Sequence, residues 1–326
     1  MNPGEILQGI RKLSALVVGD ICLDRWCTYD PSTSEPSRET GLPRIGVVST
    51  EISPGAGGTV ANNLAALGTG RVSVLGVAGE DGFGYDLSHA LSGRGIDIDL
   101  FVSSRLIPTF TYTKLINGET GIEDKPRVDF VYTKPIPASV ESEIVKRLRS
   151  YASAFDLILV SDQAETNFGG IITPAVREAL SDVGRAEPGK IVWVDSRMRT
   201  ELFRNVIVKP NRDEAERACT RALGRVDYRA FRRQLEAKLL FVTNGPAGVL
   251  VCDGEREDLV PTRAVANPVD ICGAGDSFSA GAASALAVTG SALDAAQFGN
   301  LVASITIMKK GTGTASPDEV LAAAAH

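Results

Sequence analysis

The sequence predicts an α/β protein built on a mostly parallel sheet with helices on both faces, extended by a small separate β element. Three observations carry this. Short runs rich in Val, Ile and Leu, bounded by Gly, Asp or Asn, recur along the 326 residues and read as strands buried on both faces. Segments with apolar residues at helical spacing separate them, and such alternation builds parallel sheets. Two further stretches, rich in Ser, Thr and Pro or alternating every second residue, break that rhythm.

The buried strands are expected at residues 15–19, 72–77, 157–160, 191–194 and 239–243. Helices are expected between them at 60–67, 85–91, 140–152, 174–180 and 213–223. Residues 274–288 and 292–308 are rich in Ala with Gly and Ser interspersed, and read as two closely packed helices. Ser316 followed by Pro317 starts a last helix, with Ser as N-cap and Pro at the first helical position. The stretch 28–51 ends in an extended run at 44–50. Residues 108–116 and 127–134 alternate as strands around a hairpin tip at 117–125. These pieces are read as a β excursion, either a lid that covers the ends of the strands, where α/β proteins bind ligands, or a solvent-facing decoration, with the lid favoured.

With 34 basic and 40 acidic residues the net charge is −6, and no long basic cluster is present, so nucleic acid and anionic membranes are not expected as partners. Hydrophobic residues at 44% and charged residues at 23% allow a sizeable core. Cys22, Cys27, Cys219, Cys252 and Cys272 are scattered with no CxxC pair, so buried free thiols in a reducing, cytoplasmic setting are expected rather than disulfides or zinc. Residues 1–13 carry Glu5, Arg11 and Lys12 and do not read as a signal peptide. No stretch of membrane-spanning length is free of charged and turn residues.

The strongest local signal is Asp270-Ile271-Cys272-Gly273-Ala274-Gly275-Asp276, which opens the first Ala-rich helix. Gly273 and Gly275 clear side chains from a helix N-terminus, where free N–H groups and the helix dipole suit an anion such as a transferring phosphoryl group. Asp276 in the first turn reads either as a complement to the dipole or as a base that takes a proton from a hydroxyl nucleophile. The histidine census favours the base, because His89 and the terminal His326 are the only histidines. The phosphate-loop pattern GxxxxGK(S/T) is absent, and no GxGxxG follows the first strand, so phosphate-loop hydrolases and Rossmann dehydrogenases are disfavoured.

Other candidates stand with two readings each. Asp20 and Asp24 after the first strand grip sugar hydroxyls or cap a loop. Gly57 and Gly58, with Asn62 one turn later, admit a ligand close to the backbone or pack a helix tightly on the sheet. Asn211 and Glu214 in Lys209-Pro210-Asn211-Arg212-Asp213-Glu214 bind a ligand or form a capping box. Thr243 and Gly245 lie in a glycine turn between two strands.

In this order the motifs resemble the ribokinase/PfkB family of carbohydrate kinases, over nearly the whole chain. The resemblance implies a ribokinase-like three-layer sandwich with a small β-sheet lid. It implies one domain over 1–326, the lid coming from about 25–51 and 107–135. It implies substrate contacts at Asp20, Asp24, Gly57, Gly58, Asn62, Arg127 and Asp162, and a nucleotide site at Lys209, Asn211, Thr243, Gly245, Asn300 and Gly311. Gly273, Ala274 and Gly275 are then the anion hole and Asp276 the base. Mg²⁺ is expected at Glu214 through water, and a monovalent cation, K⁺, near Asp270. Val18-Gly19-Asp20-Ile21-Cys22-Leu23-Asp24-Arg25-Trp26 and Arg127-Val128-Asp129-Phe130 look like the heptose-7-phosphate kinase branch, and Ile271 fits that branch. Residues 33–43, including Ser34, and Gly55-Ala56-Gly57-Gly58 depart from its pattern near the sugar. No nucleotidyltransferase domain follows residue 326, so a kinase without that second activity is expected. The expected function is ATP-dependent phosphorylation of a sugar or sugar-phosphate hydroxyl, with an idle binding regulator or a nucleoside kinase as alternatives. Phe110 and Tyr112, alternating with Thr109, Thr111 and Thr113, give an aromatic face that either pairs two lids in a homodimer, which is the expectation, or packs against its own sheet.

Overall fold

Helix α1 (Pro3–Ile10) leads into β1 (Ser14–Gly19), and β2 (Ile21–Tyr29) continues after a bend at Asp20. The structure, a computed structural model, describes residues 1–33, 35–164, 166, 168–263 and 265–325. Strand β3 (Val47–Ala56) returns beside β2 and feeds α2 (Gly57–Ala66). Then follow β4 (Arg71–Leu75), β5 (Val77–Gly79), α3 (Gly82–Ser92), β6 (Val102–Ser104), β7 (Thr111–Asn117) and β8 (Val128–Phe130). Helix α4 (Ala138–Tyr151), β9 (Leu157–Asp162), α5 (Pro174–Ala186), β10 (Ile191–Ser196) and β11 (Ile207–Val208) continue the alternation. After α6 (Arg212–Leu223), α7 (Tyr228–Gln234) and β12 (Leu239–Thr243) comes the hairpin of β13 (Val249–Asp253) and β14 (Arg256–Val260). The chain ends in α8 (Ala274–Thr289), α9 (Ala292–Thr306) and α10 (Pro317–Ala324).

The main sheet has the order β14-β13-β12-β11-β10-β9-β1-β4. It is parallel from β4 to β12, and only the β13–β14 edge is antiparallel. Successive strand residues face opposite layers, as the pleat requires. Val17, Leu159, Trp193 and Phe241 pack under α1, α2, α8, α9 and α10. Val18, Val160, Val194 and Val242 pack under α4, α5, α6 and α7. This is the three-layer arrangement expected from the sequence. Among the described residues, no helix is long and apolar enough to cross a membrane.

A separate four-stranded sheet has the order β3-β2-β7-β8. It begins at Ile21 and runs to Ala56 on one side, wider than the 25–51 expected. The expected strand at 127–134 stops after Phe130, because Val131, Tyr132 and Thr133 leave the sheet to line a cavity. The expected strand at 72–77 breaks at Gly76, and β5 pairs with β6 instead. Helices α1 and α7 and strand β14 carry too few residues for periodicity to announce them, while β13 follows the glycine turn as expected. Cys272 is exposed, against the expectation of buried thiols, while the other four cysteines are buried and free. Ser34 and His326 lie outside the described residues.

Strand order reverses direction between β1 and β9: the chain moves from β1 out to β4, and from β9 through β10 and β11 to β12. Such a switch point opens a crevice beyond the carboxyl ends of the strands. Gly19 ends β1 there with φ of 149°, and a β-carbon on it would meet the Ser161 carbonyl at 2.1 Å. Only glycine lets the two strand ends close up before the chain turns into β2.

Candidate active site

The crevice at the strand ends is a cleft of about 270 Å³, open to solvent. One wall is the turn before α8. Gly273 is its N-cap, in the left-handed conformation at φ of 76°, and so starts the helix without a capping side chain. The Ala274 amide donates to Ile271 O at 3.2 Å. The amides of Gly275 and Asp276 belong to the first turn, where the helix offers no acceptor. Asp276 lines the cleft with Gly273, Asp270 and Cys272. Burial of its carboxyl and the charge of Asp195 push it up to about 7, against the pull of Lys209. A carboxyl half-ionised near neutrality, beside unpartnered amides, can accept a proton while an anion sits on the amides.

The opposite wall is one face of the small sheet. Asp24 and Trp26 on β2, and Tyr112 and Lys114 on β7, point into the cleft. They share a face because each pair is two residues apart. Asp24 is pushed up to about 6 by burial, against the Cys22 thiol and the charges of Arg127 and Lys114. Arg127 lies over the Tyr112 ring at 5.3 Å and pairs with Asp129 at 3.1 Å. Asp24 is therefore a strand residue aimed at the cleft, not a loop cap. Phe110 and Tyr112 line cavities within this chain. Tyr112 on that face is half-buried, while Thr109, Thr111 and Thr113 on the other are buried.

A second, more enclosed cavity shares Cys22, Ala56, Tyr112 and Gln163 with the cleft and adds Phe110, Tyr132 and Asp20. Asp20 accepts Ile171 N at 2.8 Å and Gln163 N at 2.9 Å, one on each oxygen. Burial and the nearby Asp162 push it up to about 6, against those two amides. Asp20 thus anchors the loop after β9 as well as facing the cavity.

The remaining expected residues divide. Gly311 lines the cleft, and its amide donates to Asp270 Oδ2 at 3.1 Å while Cys272 N donates to Oδ1 at 2.9 Å. Asp270 therefore ties the turn to the loop at 311. Asn211 and Glu214 form the capping box: Glu214 N donates to Asn211 Oδ1 at 2.9 Å and Asn211 N to Glu214 Oε2 at 2.8 Å. Burial and Asp195 push Glu214 up, against the Asn211 amide, Lys209 and Arg197. A carboxylate so placed, with one oxygen held by an amide, suits a hard cation kept at water distance. Thr243 bridges to Asn211, and Gly245 starts the exposed turn beyond it. Asn300 lines a separate groove with Gln297 and Ser304, and donates to Pro261 O at 3.3 Å.

Five further expected contacts lie away from the cavity walls. Gly57 and Gly58 are buried in the first turn of α2, where Gly57 N donates to Asp20 O at 2.8 Å. Asn62 is buried, with its amide nitrogen 3.4 Å from Pro54 O and its Oδ1 unpartnered. Asp162 is 1% exposed; Arg199 and Ser196 take up its carboxylate. Lys209, 3% exposed, pairs with Asp195 at 2.5 Å.

Sequence reasoning missed Thr59, Trp26, Lys114, Gln163 and Arg197 on the cleft wall. The period-two rule applied to Asp24 and Tyr112 finds Trp26 and Lys114. The helical repeat finds Thr59, one turn before Asn62. Arg197 follows the end of β10 as Asp20 follows β1. His89 is exposed on α3, stacked on Tyr85 at 5.9 Å, and is not part of the cleft wall.

Residues 15–319 match the family described as pfkB family carbohydrate kinase. The bifunctional protein HldE of Geobacter metallireducens is 34% identical over 98% of this chain. That of Geobacter sulfurreducens is 32% identical over 95%. The chain spans 64% and 62% of the lengths of these two relatives. Among solved structures, ribokinase from Thermotoga maritima superposes with a TM-score of 0.70 at 21% identity, covering 96% of this chain and all of that one. Arabidopsis thaliana ribokinase complexed with ribose and ATP gives 0.67 at 20%, covering 96% and 98%.

Proposed function

The chain belongs to the pfkB family of carbohydrate kinases, ATP-dependent sugar kinases, and from that premise we propose that it transfers the terminal phosphoryl group of ATP to a hydroxyl of a sugar or sugar phosphate. The observation that carries the reading is the Asp276 carboxyl, raised to about 7 in the first turn of α8 and opening into the cleft faced by Asp24 and Lys114. Asp276 takes the proton of the attacking hydroxyl. The amides of the 273–276 turn hold the phosphoryl oxygens as charge builds on them. Asp24 and Asp20 orient the acceptor, and the small sheet acts as a lid that keeps water out.

Glu214 and Asn211 would hold Mg²⁺ through water. The ion neutralises phosphate charge when bound. Asn300 and its groove would take the base of the nucleotide, with Thr243 and Gly245 along the phosphates. K⁺ near Asp270 belongs to the same proposal and is read by turnover in KCl against NaCl. Lys114, Arg127 and Arg197 around the cleft favour an acceptor that already carries a phosphate, in line with the likeness to HldE. ADP release across a panel of sugars, sugar phosphates and nucleosides tests the reading. Release with none of them would count for an idle binding protein, and release with nucleosides alone would replace the acceptor class.

A further inference from the structure

The register of the main sheet sets two charged residues side by side. Val194 on β10 pairs with Val208 on β11, so Asp195 and Lys209 follow together just beyond the last rung. Lys209 N donates to Val194 O at 2.8 Å, which keeps the two chains in step. The Lys209 Nζ then meets Asp195 Oδ2 at 2.5 Å, with side-chain exposures of 4% and 11%. The same Asp195 oxygen lies 3.5 Å from Ser279 Oγ on α8. A β-carbon on Gly275 would sit 3.3 Å from the ammonium. The pair is thus a buried ion pair directly under the first turn of α8, one residue from Asp276.

We infer that the Asp195–Lys209 pair is the positioning device for the base, with Lys209 supporting the first turn of α8 and balancing the charge of Asp276 instead of binding nucleotide. This rests on the reading of Asp276 as a base. Two features of the geometry argue for it. The ammonium is withdrawn from solvent and spent on Asp195, which leaves it poorly placed to pair with a phosphate. A β-carbon on Gly275 would stand 3.3 Å from the ammonium, so the bare glycine leaves the lysine seated against the first turn without having to give way.

The groups around Asp276 are of both signs. Asp195 on β10 and Asp24 on β2 raise it, and Lys209 on β11 lowers it. Glu214 on α6 acts on Lys209. The Cys22 and Cys272 thiols stand near, and both feel the Asp276 charge. Arg197 lines the same cleft, and Lys114 and Arg127 act on Asp24. The ion pair is the part of this set that is buried and fixed, so its two members should move Asp276 in opposite directions when removed singly.

The experiment follows the Asp276 carboxyl by carbon NMR in aspartate-labelled protein, assigned with Asp276→Asn, beside the pH profile of kcat. Asp195→Asn is expected to move the titration and the acidic limb of kcat down by about one unit, and Lys209→Met up by about one unit or more. The double variant Asp195→Asn/Lys209→Met should return both near wild type, with KM for ATP changed less than about threefold throughout. A titration that stays put in both single variants overturns the inference, even if kcat falls at every pH. So does Lys209→Met raising KM for ATP with the titration unmoved, which would make it a nucleotide ligand. If Lys209→Met does not fold, the near-isosteric Asp195→Asn decides alone. If no sugar is turned over, the kinase reading fails, and the NMR titration still decides the role of the pair.

Discussion

The β-carbon that Gly55 lacks would fall 2.4 Å from both carboxylate oxygens of Asp24. The Asp24 carboxylate lies across the neighbouring strand, and the missing side chain is what lets it face the cleft. The clash would be with the tip of a rotatable side chain, so relief comes by turning Asp24 aside and not by shifting the sheet. Gly55→Ala should therefore raise KM for the acceptor by about tenfold, with KM for ATP and Tm nearly unchanged. Steady-state kinetics with each substrate varied in turn checks this. An unaltered acceptor KM would remove Asp24 from the acceptor site.

Ala56, the next residue, has φ of 51° and ψ of −119°, a conformation that costs a side chain roughly 1–3 kcal/mol. It stands where the small sheet hands over to α2, and it lines both cavities. Ala56→Gly relieves that strain and gives back about 1 kcal/mol in unfolded-chain entropy. The net expectation is a gain of about 1 kcal/mol, or a few degrees in Tm. Thermal unfolding reads it, and a lower Tm would show that the backbone is unstrained.

Asp276 should weaken the fold while it serves the reaction. Its carboxyl titrates near 7 in the folded chain against 3.8 as the ordinary value. Between those values the folded state keeps a proton that the unfolded chain has released, so stability from this group falls as pH rises from about 4 to 7. Asp276→Asn removes the loss. Relative to wild type it should be more stable at pH 8 by on the order of 2 kcal/mol, the gain fading toward pH 4. Urea unfolding at both pH values measures it. Equal stability at pH 8 would mean that the carboxyl is not raised.

Asp162 and Arg199 form a buried pair behind the enclosed cavity, with Ser196 Oγ donating to Asp162 at 2.7 Å. Arg199→Met would leave the carboxylate buried and uncompensated, so a loss of about 3 kcal/mol is expected. The urea midpoint checks this. Full stability in the variant would return Asp162 to the list of residues free to bind a substrate.

The main sheet was legible because its strands are short, apolar and buried on both faces, as in the run Leu157, Ile158, Leu159 and Val160. Asp276 and Gly273 were legible because a glycine-rich turn before a helix has a clear local signature, Gly311 only through the family resemblance, and the structure brings all three to one cleft. Asn62 and Asp162 were less so. Both look like ligands in a linear reading, yet one is turned beneath Pro54 and the other is consumed by Arg199. The Asp195–Lys209 pair joins residues from two adjacent strands, and only the register reveals it. Tyr112 shows another limit: alternation finds the two faces of a strand but does not say which one meets the cleft.

ADP release by wild type and Asp276→Asn, with saturating ATP and Mg²⁺ over a panel of sugars and sugar phosphates, tests the central claim most directly. Wild type should release ADP with at least one acceptor. Asp276→Asn should lose on the order of a thousandfold in kcat while binding ATP as wild type does. Turnover by Asp276→Asn within a few fold of wild type would contradict Asp276 as the base.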